Sequence, residues 1–354
     1  MKKKIAILFG GCSTEYQVSL QSASAVVNHI NREKYDPILL GITREGSWLR
    51  FQGPAEKISK DTWHNPKYCT PAVISPSKEV HGILQFSDTK VEQIYIDAAF
   101  PVLHGKNGED GTLQGLLELS GIPFVGCGTL SSALCMDKDL AHVIAEASGI
   151  KTPPFFTARR HESPEKAMLL ADSLGYPVFV KPARSGSSFG ITKVEGRSRL
   201  EEALCLAFRH DEKVVVEKAI NGFEVGCAVL GNQELTVGEL DEIELQKGFF
   251  DFTEKYTLET SKIHLPARIS KEKTAEIKET AKFLYHLFEC RGFARVDVFL
   301  TPSGEVIFNE INTIPGFTAH SRYPSMLHMV GMDFQETIEQ LIDMAVKNET
   351  VTAN

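Results

Sequence analysis

The sequence predicts an α/β unit followed by α+β units, and three observations carry that prediction. A short apolar run, Ile5–Phe9, breaks at Gly10-Gly11, enters a helical pattern and returns in a second run, Asp36–Thr43. Strand, glycine turn, helix, strand is the grammar of a parallel sheet with covering helices. After the joint Lys151-Thr-Pro-Pro154 the runs shorten and alternate with Gly- and Ser-rich loops, as in a compact antiparallel sheet. Near the end, Gly292–Leu300 and Glu305–Asn312 flank Thr301-Pro-Ser-Gly304, which reads as a hairpin.

In order, Ile5–Phe9 is a first buried strand. It is too short, and too abruptly ended by Gly-Gly, for the core of a secretion signal. Val18, Ala25, Val26 and Ile30 place one apolar face on a helix over 18–30, and Ala98–Leu103 is a further strand. Residues 51–90 show no clear period. Leu140, Val143, Ile144 and Ala147 predict a helix over Asp137–Ser148, stopped at Gly149. Strands follow at Val178–Pro182, Ile191–Val194 and Val214–Glu217, with a helix near 198–209 and a last one over Phe334–Lys347. The expected division is 1–136, 137–218 and 219–354, in keeping with ~150 residues per domain for a chain of 354.

Composition narrows the function. With 42% apolar and 24% charged residues the chain is neither disordered nor fibrous. No apolar run approaches the ~20 residues of a membrane span. A net charge of −8 argues against a general nucleic-acid binder. Seven scattered cysteines without a C-x-x-C pair argue for reduced thiols and a cytoplasmic setting.

The hairpin is the most informative stretch. Pairing Leu300 with Glu305 sets Arg295 opposite Glu310 and Asp297 opposite Phe308, and alternation then puts Arg295, Asp297, Glu310 and Asn312 on one face. A two-residue slip preserves that result. Two acids and an amide suit a hard cation such as Mg²⁺, and Arg295 suits an anionic transition state. A surface ion-pair ladder explains poorly why both strands are otherwise apolar.

Other stretches are weaker alone. Lys181 closes a strand before Pro-Ala-Arg-Ser-Gly-Ser-Ser-Phe-Gly190, a loop able to wrap phosphates but equally a solvated turn. Glu217-Lys218 ends a strand whose edge suits a purine, with Glu224 placed for a ribose; a strand leaving the core reads the same way. Residues 241–265 lack periodicity and carry Glu244, Lys247, Phe250, Phe252, Lys255 and Tyr256, the composition of a lid. His104 and Glu15 each follow a strand in a Gly-rich loop, at the sheet edge where ligands bind in α/β folds. No G-x-G-x-x-G is present, which disfavours a nicotinamide enzyme.

Taken together and in order, Gly-Gly-x-Ser-x-Glu15, His104-Gly-x-x-Gly-Glu-Asp-Gly, Met-Asp-Lys138, Lys181-Pro-x-Arg-x-Gly-Ser-Ser, Arg295-Val-Asp and Asn-Glu310-x-Asn-Thr-x-Pro-Gly-Phe-Thr resemble the D-alanine–D-alanine ligase family of the ATP-grasp superfamily. The likeness runs from about Lys4 to about Met344. It implies an ATP-grasp fold, with an N-terminal sheet domain and two α+β lobes holding ATP. The C-terminal lobe would carry the metal site and the lid. It implies Asp297, Glu310 and Asn312 as ligands of two Mg²⁺ ions, with Mn²⁺ an alternative. It implies Lys138, Lys181 and Lys255 on the ATP phosphates, and Glu217, Lys218, Ile220 and Glu224 on adenine and ribose. Glu15 with His104 would hold the first D-alanine, closed over by Ser187 and Tyr256. Arg295 and the N–H of Gly316 would form the oxyanion hole, and Ser321 would receive the second substrate. Ser321-Arg322-Tyr-Pro, with Phe252 ahead of Lys255-Tyr256, resembles the D-alanine–D-serine branch of glycopeptide resistance. The D-alanine–D-alanine branch is the alternative. The family is usually dimeric, so a homodimer is expected.

Overall fold

The computed structural model describes residues 2–245 and 261–352. The chain builds three sheets. The first has seven strands in the order β6-β5-β4-β3-β2-β1-β7. These are β1 Lys3–Gly10, β2 Tyr35–Ile42, β3 Trp48–Phe51, β4 Cys69–Ile74, β5 Gly82–Phe86, β6 Val91–Tyr95 and β7 Ala98–Pro101. Only β1–β2 and β1–β7 are parallel; every pairing from β2 out to β6 is antiparallel. The expected parallel sheet is therefore its buried centre. The stretch without a clear period supplies a meander of short, half-exposed strands, whose pattern is diluted by water on one side. The helix Tyr16–His29 covers β1, burying Leu20, Ala23, Val26 and Val27.

The second sheet is antiparallel, in the order β10-β9-β11-β8. Its strands are β8 Phe155–Arg159, β9 Val178–Pro182, β10 Thr192–Val194 and β11 Lys213–Lys218. Helices Pro164–Leu174 and Leu200–Ala207 close a small core of Val178, Val180, Val214 and Val216 beneath them.

The third sheet runs β15-β14-β12-β16-β17, with β13 also paired to β12. It comprises β12 Phe223–Gly231, β13 Leu235–Val237, β14 Asp241–Leu245, β15 Ser261–His264, β16 Gly292–Leu300 and β17 Val306–Asn312. The segment expected to be all loop from 241 to 265 thus begins and ends as paired strands. Helix Lys271–Leu287, its N-terminus capped by Ser270, buries Ile277, Ala281, Leu284 and Tyr285 against this sheet.

The first and third sheets share one core. Phe317 packs against Phe100 of β7 at 5.8 Å and against Phe293 of β16 at 5.4 Å, and Tyr323 meets Phe293 at 5.7 Å. These tilted and edge contacts, each worth about 0.5–1.5 kcal/mol beyond burial, anchor the loop after β17 at Phe317 and at Tyr323. The loop's polar residues are thereby held over the crevice between sheets.

Helix Lys138–Ala147 forms where expected, with Asp137 accepting from Leu140 N at 3.2 Å as its cap. It presents a different face from the one expected. Leu140 and Val143 are 43% and 50% exposed, while Lys138, Ala141, His142 and Ala145 are buried. Two small alanines let it sit close on the third sheet, and a lysine and a histidine are carried inward with them.

Candidate active site

The hairpin β16–β17 does bring its four polar residues to one face, but not in the expected register. Leu300 pairs with Val306 rather than Glu305. The register shifts again between Asp297 and Val298, so that Asp297 faces Glu310 and Arg295 faces Asn312. Two one-residue displacements, the second a β-bulge, sum to the two-residue slip that keeps the acids together. Arg295 Nε and Nη2 each donate to Asp297 at 2.8 Å, and Asn312 Nδ2 donates to Asp297 Oδ2 at 2.9 Å. Burial works against the Arg295 charge, and Asp297 more than offsets it, so the guanidinium stays protonated.

A cavity of about 550 Å³ lies between the second and third sheets and reaches this face. Lys138 and Lys181 both line it and are nearly buried. Lys138 Nζ donates to Ser185 O at 3.0 Å and stands 3.5 Å from Glu310. Lys181 pairs with Glu217, whose second oxygen, Oε2, is buried without a hydrogen-bond partner among the described residues. An orphaned buried acceptor of this kind is worth about 1–3 kcal/mol to whatever donor satisfies it. Ile220 and Glu224 line the same cleft. Lys218 lines it too, but its ammonium is turned to the carbonyls of Gly175 and Tyr176, at 2.8 and 3.1 Å. Its side chain is a clip between strand ends.

A second cavity of about 840 Å³ opens between the first sheet and the loop after β17. Glu15, His104 and Ser187 meet there as expected. Ser187 Oγ, in the loop after β9, donates to Glu15 Oε1, in the loop after β1. The Glu15 carboxylate is pressed between two glycine backbones: a Cβ on Gly105 would stand 2.5 Å from Oε2, and one on Gly186 2.4 Å. His104 is 4% exposed, with Nδ1 donating to Ile314 O at 2.9 Å and Nε2 accepting from Ser22 Oγ at 3.0 Å. Burial pushes its pKa down to about 4, so the ring is neutral. Glu109 borders both cavities. Burial, then the nearby charges of Glu15 and Glu310, push its carboxyl well above the ordinary range.

The far wall of the second cavity holds Gly316, Ser321 and Arg322. Ser321 Oγ lies 2.8 Å from Thr318 Oγ1 and receives Thr318 N at 3.0 Å. Arg322 does not hang free in the cavity. Its Nε and Nη2 donate to Asp241 at 2.7 Å, its Nη1 donates to Glu224 at 2.9 Å, and Nη2 is 3.6 Å from Asp297. Asp241 was not legible in the sequence as a site residue. The only signal was the alternation Asp-Glu-Ile-Glu-Leu245, which marks a strand inside a segment that otherwise reads as a lid. Phe252, Lys255 and Tyr256 lie outside the described residues.

Among the described residues no three His, Cys, Asp or Glu side chains come together as a metal cluster. The hairpin's donor set is instead two carboxylates and an amide. Asp297 and Glu310 oppose each other directly, a repulsive pairing across a ladder. Here Arg295 offsets one and Lys138 the other. Oxygen donors of that charge, beside a cleft lined by lysines, fit a divalent cation that also binds phosphate oxygens.

The chain is similar to known proteins along nearly its whole length. The family description D-ala D-ala ligase N-terminus matches residues 4–127, and D-ala D-ala ligase C-terminus matches residues 144–343. The vancomycin/teicoplanin A-type resistance protein VanA of Enterococcus faecium is 47% identical over 97% of this chain and 98% of that protein. A D-alanine–D-alanine ligase of Caldicellulosiruptor bescii is 44% identical over 98% of this chain and 96% of that protein. The crystal structure of the VanG D-Ala:D-Ser ligase of Enterococcus faecalis is 55% identical, with a TM-score of 0.90, over 98% of this chain and all of that one. The chain therefore belongs to the D-alanine–D-alanine ligase family: it is an ATP-dependent ligase of ATP-grasp fold that forms a dipeptide and uses a divalent metal.

Proposed function

We propose that this enzyme joins D-alanine to D-serine through D-alanyl phosphate, supplying a dipeptide for cell-wall precursors with altered termini. The observation that carries the D-serine reading is Arg322, a buried guanidinium held by Asp241 and Glu224 at the cavity wall beside Ser321. Among the described residues, three of its five N–H groups are engaged. An Nη1 N–H outside those bonds would give a second substrate's hydroxyl a donor that a methyl group cannot use. Such a contact discriminates strongly because the polar wall is left unpaired by the wrong ligand. The likeness to VanG supports the same reading.

In the proposed reaction, Lys138, Lys181 and Lys255 hold the ATP phosphates. Glu217, the backbone from Lys218 to Ile220, and Glu224 hold the nucleoside. Asp297, Glu310 and Asn312 would hold two Mg²⁺ ions, which when bound neutralise phosphate charge. Glu15 takes the ammonium of D-alanine, oriented by Ser187 and the neutral ring of His104. A carboxylate oxygen of that D-alanine attacks the γ-phosphorus and ADP leaves. The amine of D-serine, placed by Ser321, Arg322 and Phe252, attacks the acyl carbon. A C–N bond forms, the C–O bond to phosphate breaks, and the amine proton is released. Arg295 and the Gly316 N–H face the tetrahedral oxyanion between these events. Tyr256 and the rest of the lid keep water from the acyl phosphate. We read the enzyme as a cytoplasmic homodimer, which sedimentation tests. Among the described residues no helix is long and apolar enough to cross a membrane.

The test is ADP release with D-alanine alone and then with D-serine added. D-serine is expected to raise the rate and to appear in the product. A rate indifferent to D-serine, with D-Ala-D-Ala the sole product, supports the second reading, D-alanine–D-alanine ligation. The 44% identity to the Caldicellulosiruptor enzyme favours that alternative.

A further inference from the structure

Straightforward continuation of the hairpin from its turn would not make this site. From Leu300–Val306 to Val298–Phe308 the ladder holds one register. Extended without interruption, it would set Asp297 opposite Asn309 and Arg295 opposite Ile311. Glu310 and Asn312 would then lie on the reverse face, because a one-residue slip moves every side chain across the sheet. Asn309 is the residue that prevents this. It has no partner in the ladder, and beyond it Glu310 faces Asp297 and Asn312 faces Arg295.

A bulge frees backbone groups that must find partners elsewhere. The carbonyl of Asn309 accepts from His142 Nε2 at 3.0 Å, and Phe308 N donates to Lys151 O at 2.8 Å. His142 is 1% exposed and walled by the rings of Phe155 and Phe308, at 5.1 and 5.9 Å. Because a carbonyl can only accept, Nε2 carries the proton. Nδ1 is bare and has no hydrogen-bond partner among the described residues. The ring thus has one hydrogen bond, and it is aimed at the bulge. His142 also lies one helical turn from Lys138, which stands beside Glu310. One helix face therefore meets the hairpin at two consecutive residues.

We propose that His142 is a positioning residue for the metal site: by holding the Asn309 carbonyl it fixes the bulge that turns Glu310 and Asn312 to the side of Asp297. The proposal rests on the reading of Asp297, Glu310 and Asn312 as the metal's ligands. It assigns His142 no contact with substrate.

The experiment measures Mn²⁺ binding by electron paramagnetic resonance, on the full chain with ADP and without turnover. It compares wild type with His142→Leu, His142→Asn, His142→Gln and Glu310→Gln. A glutamine amide reaches about as far as Nε2, whereas an asparagine amide falls short. His142→Leu and His142→Asn are expected to weaken Mn²⁺ binding about 10- to 100-fold, and His142→Gln by less than about threefold, as for groups that orient metal ligands. ADP affinity without metal should be unchanged in the His142 variants. If His142→Leu does not fold, the contrast between the glutamine and asparagine variants decides. Equal binding by those two, or wild-type binding by every His142 variant while Glu310→Gln loses Mn²⁺, overturns this proposal alone. Wild-type binding by Glu310→Gln overturns the ligand assignment and this proposal with it.

Discussion

Around Glu15 the neighbouring groups are polar but carry little charge: a serine hydroxyl, two glycine backbones, a histidine held neutral and a glutamic acid pushed toward its protonated form. Around the hairpin, some distance along the same crevice, charges are dense and mutually paired: Arg295 and Arg322 with Asp297, Asp241 and Glu224, and Lys138 with Glu310. On the proposed roles, the first arrangement sets a carboxylate among largely neutral described groups to receive one small cation. The second lets a site hold several phosphate charges without an uncompensated ion when empty, since each buried charge already has a partner. If the proposed roles hold, recognition of an amino acid and handling of a triphosphate call for opposite electrostatic designs within one cavity system.

The contrast yields predictions, from largest effect to smallest. Asp297→Asn should strip the carboxylate partner from buried Arg295 and a nearby charge from Arg322. A loss of about 10³-fold or more in kcat is expected, with a stability cost of about 3–5 kcal/mol by thermal unfolding. If turnover persists, the paired end is not where chemistry occurs. Glu15→Gln keeps the shape of the neutral end and removes its charge. The kcat/KM for the first D-alanine should fall about 10²- to 10³-fold, with ATP binding by calorimetry unchanged. Arg322→Met should shift the ratio of D-Ala-D-Ser to D-Ala-D-Ala by about 100-fold toward D-Ala-D-Ala. A product ratio is insensitive to how much of the variant folds, which matters because Asp241 loses its partner.

The smallest effect concerns His104. Unfolded, its ring takes a proton near pH 6.5, but in the folded chain only near about 4. Between these values the unfolded state binds more protons, so its contribution is intact above about pH 6.5 and is lost as pH falls. By pH 5 the loss is roughly 2 kcal/mol. His104→Gln should flatten that part of the dependence of Tm on pH. An unchanged slope would mean the neutral end owes nothing to this ring.

Much of the fold was legible because buried strands are apolar and their ends are marked by glycine and proline: β9 was read with its observed limits, and β1, β2 and β11 to within a residue or two. The site was legible where one strand alternation places side chains, as at Arg295 and Asp297. It failed where the deciding contact is tertiary. Apolar periodicity chose Leu140 and Val143 for the buried face of a helix whose inner face carries Lys138 and His142. A helix that serves a polar cleft buries polar residues, and the pattern cannot distinguish burial in a core from burial in a site. The bulge at Asn309 is invisible because one extra residue in a short strand leaves no mark on composition. Asp241 is not legible because a five-residue strand beside a long polar segment has too few residues to establish a period.

The most direct measurement of the central claim is a competition. The enzyme is given ATP, Mg²⁺ and equal concentrations of D-alanine and D-serine, and the dipeptides are quantified by mass spectrometry. D-Ala-D-Ser is predicted to predominate; a product that is chiefly D-Ala-D-Ala would contradict the account.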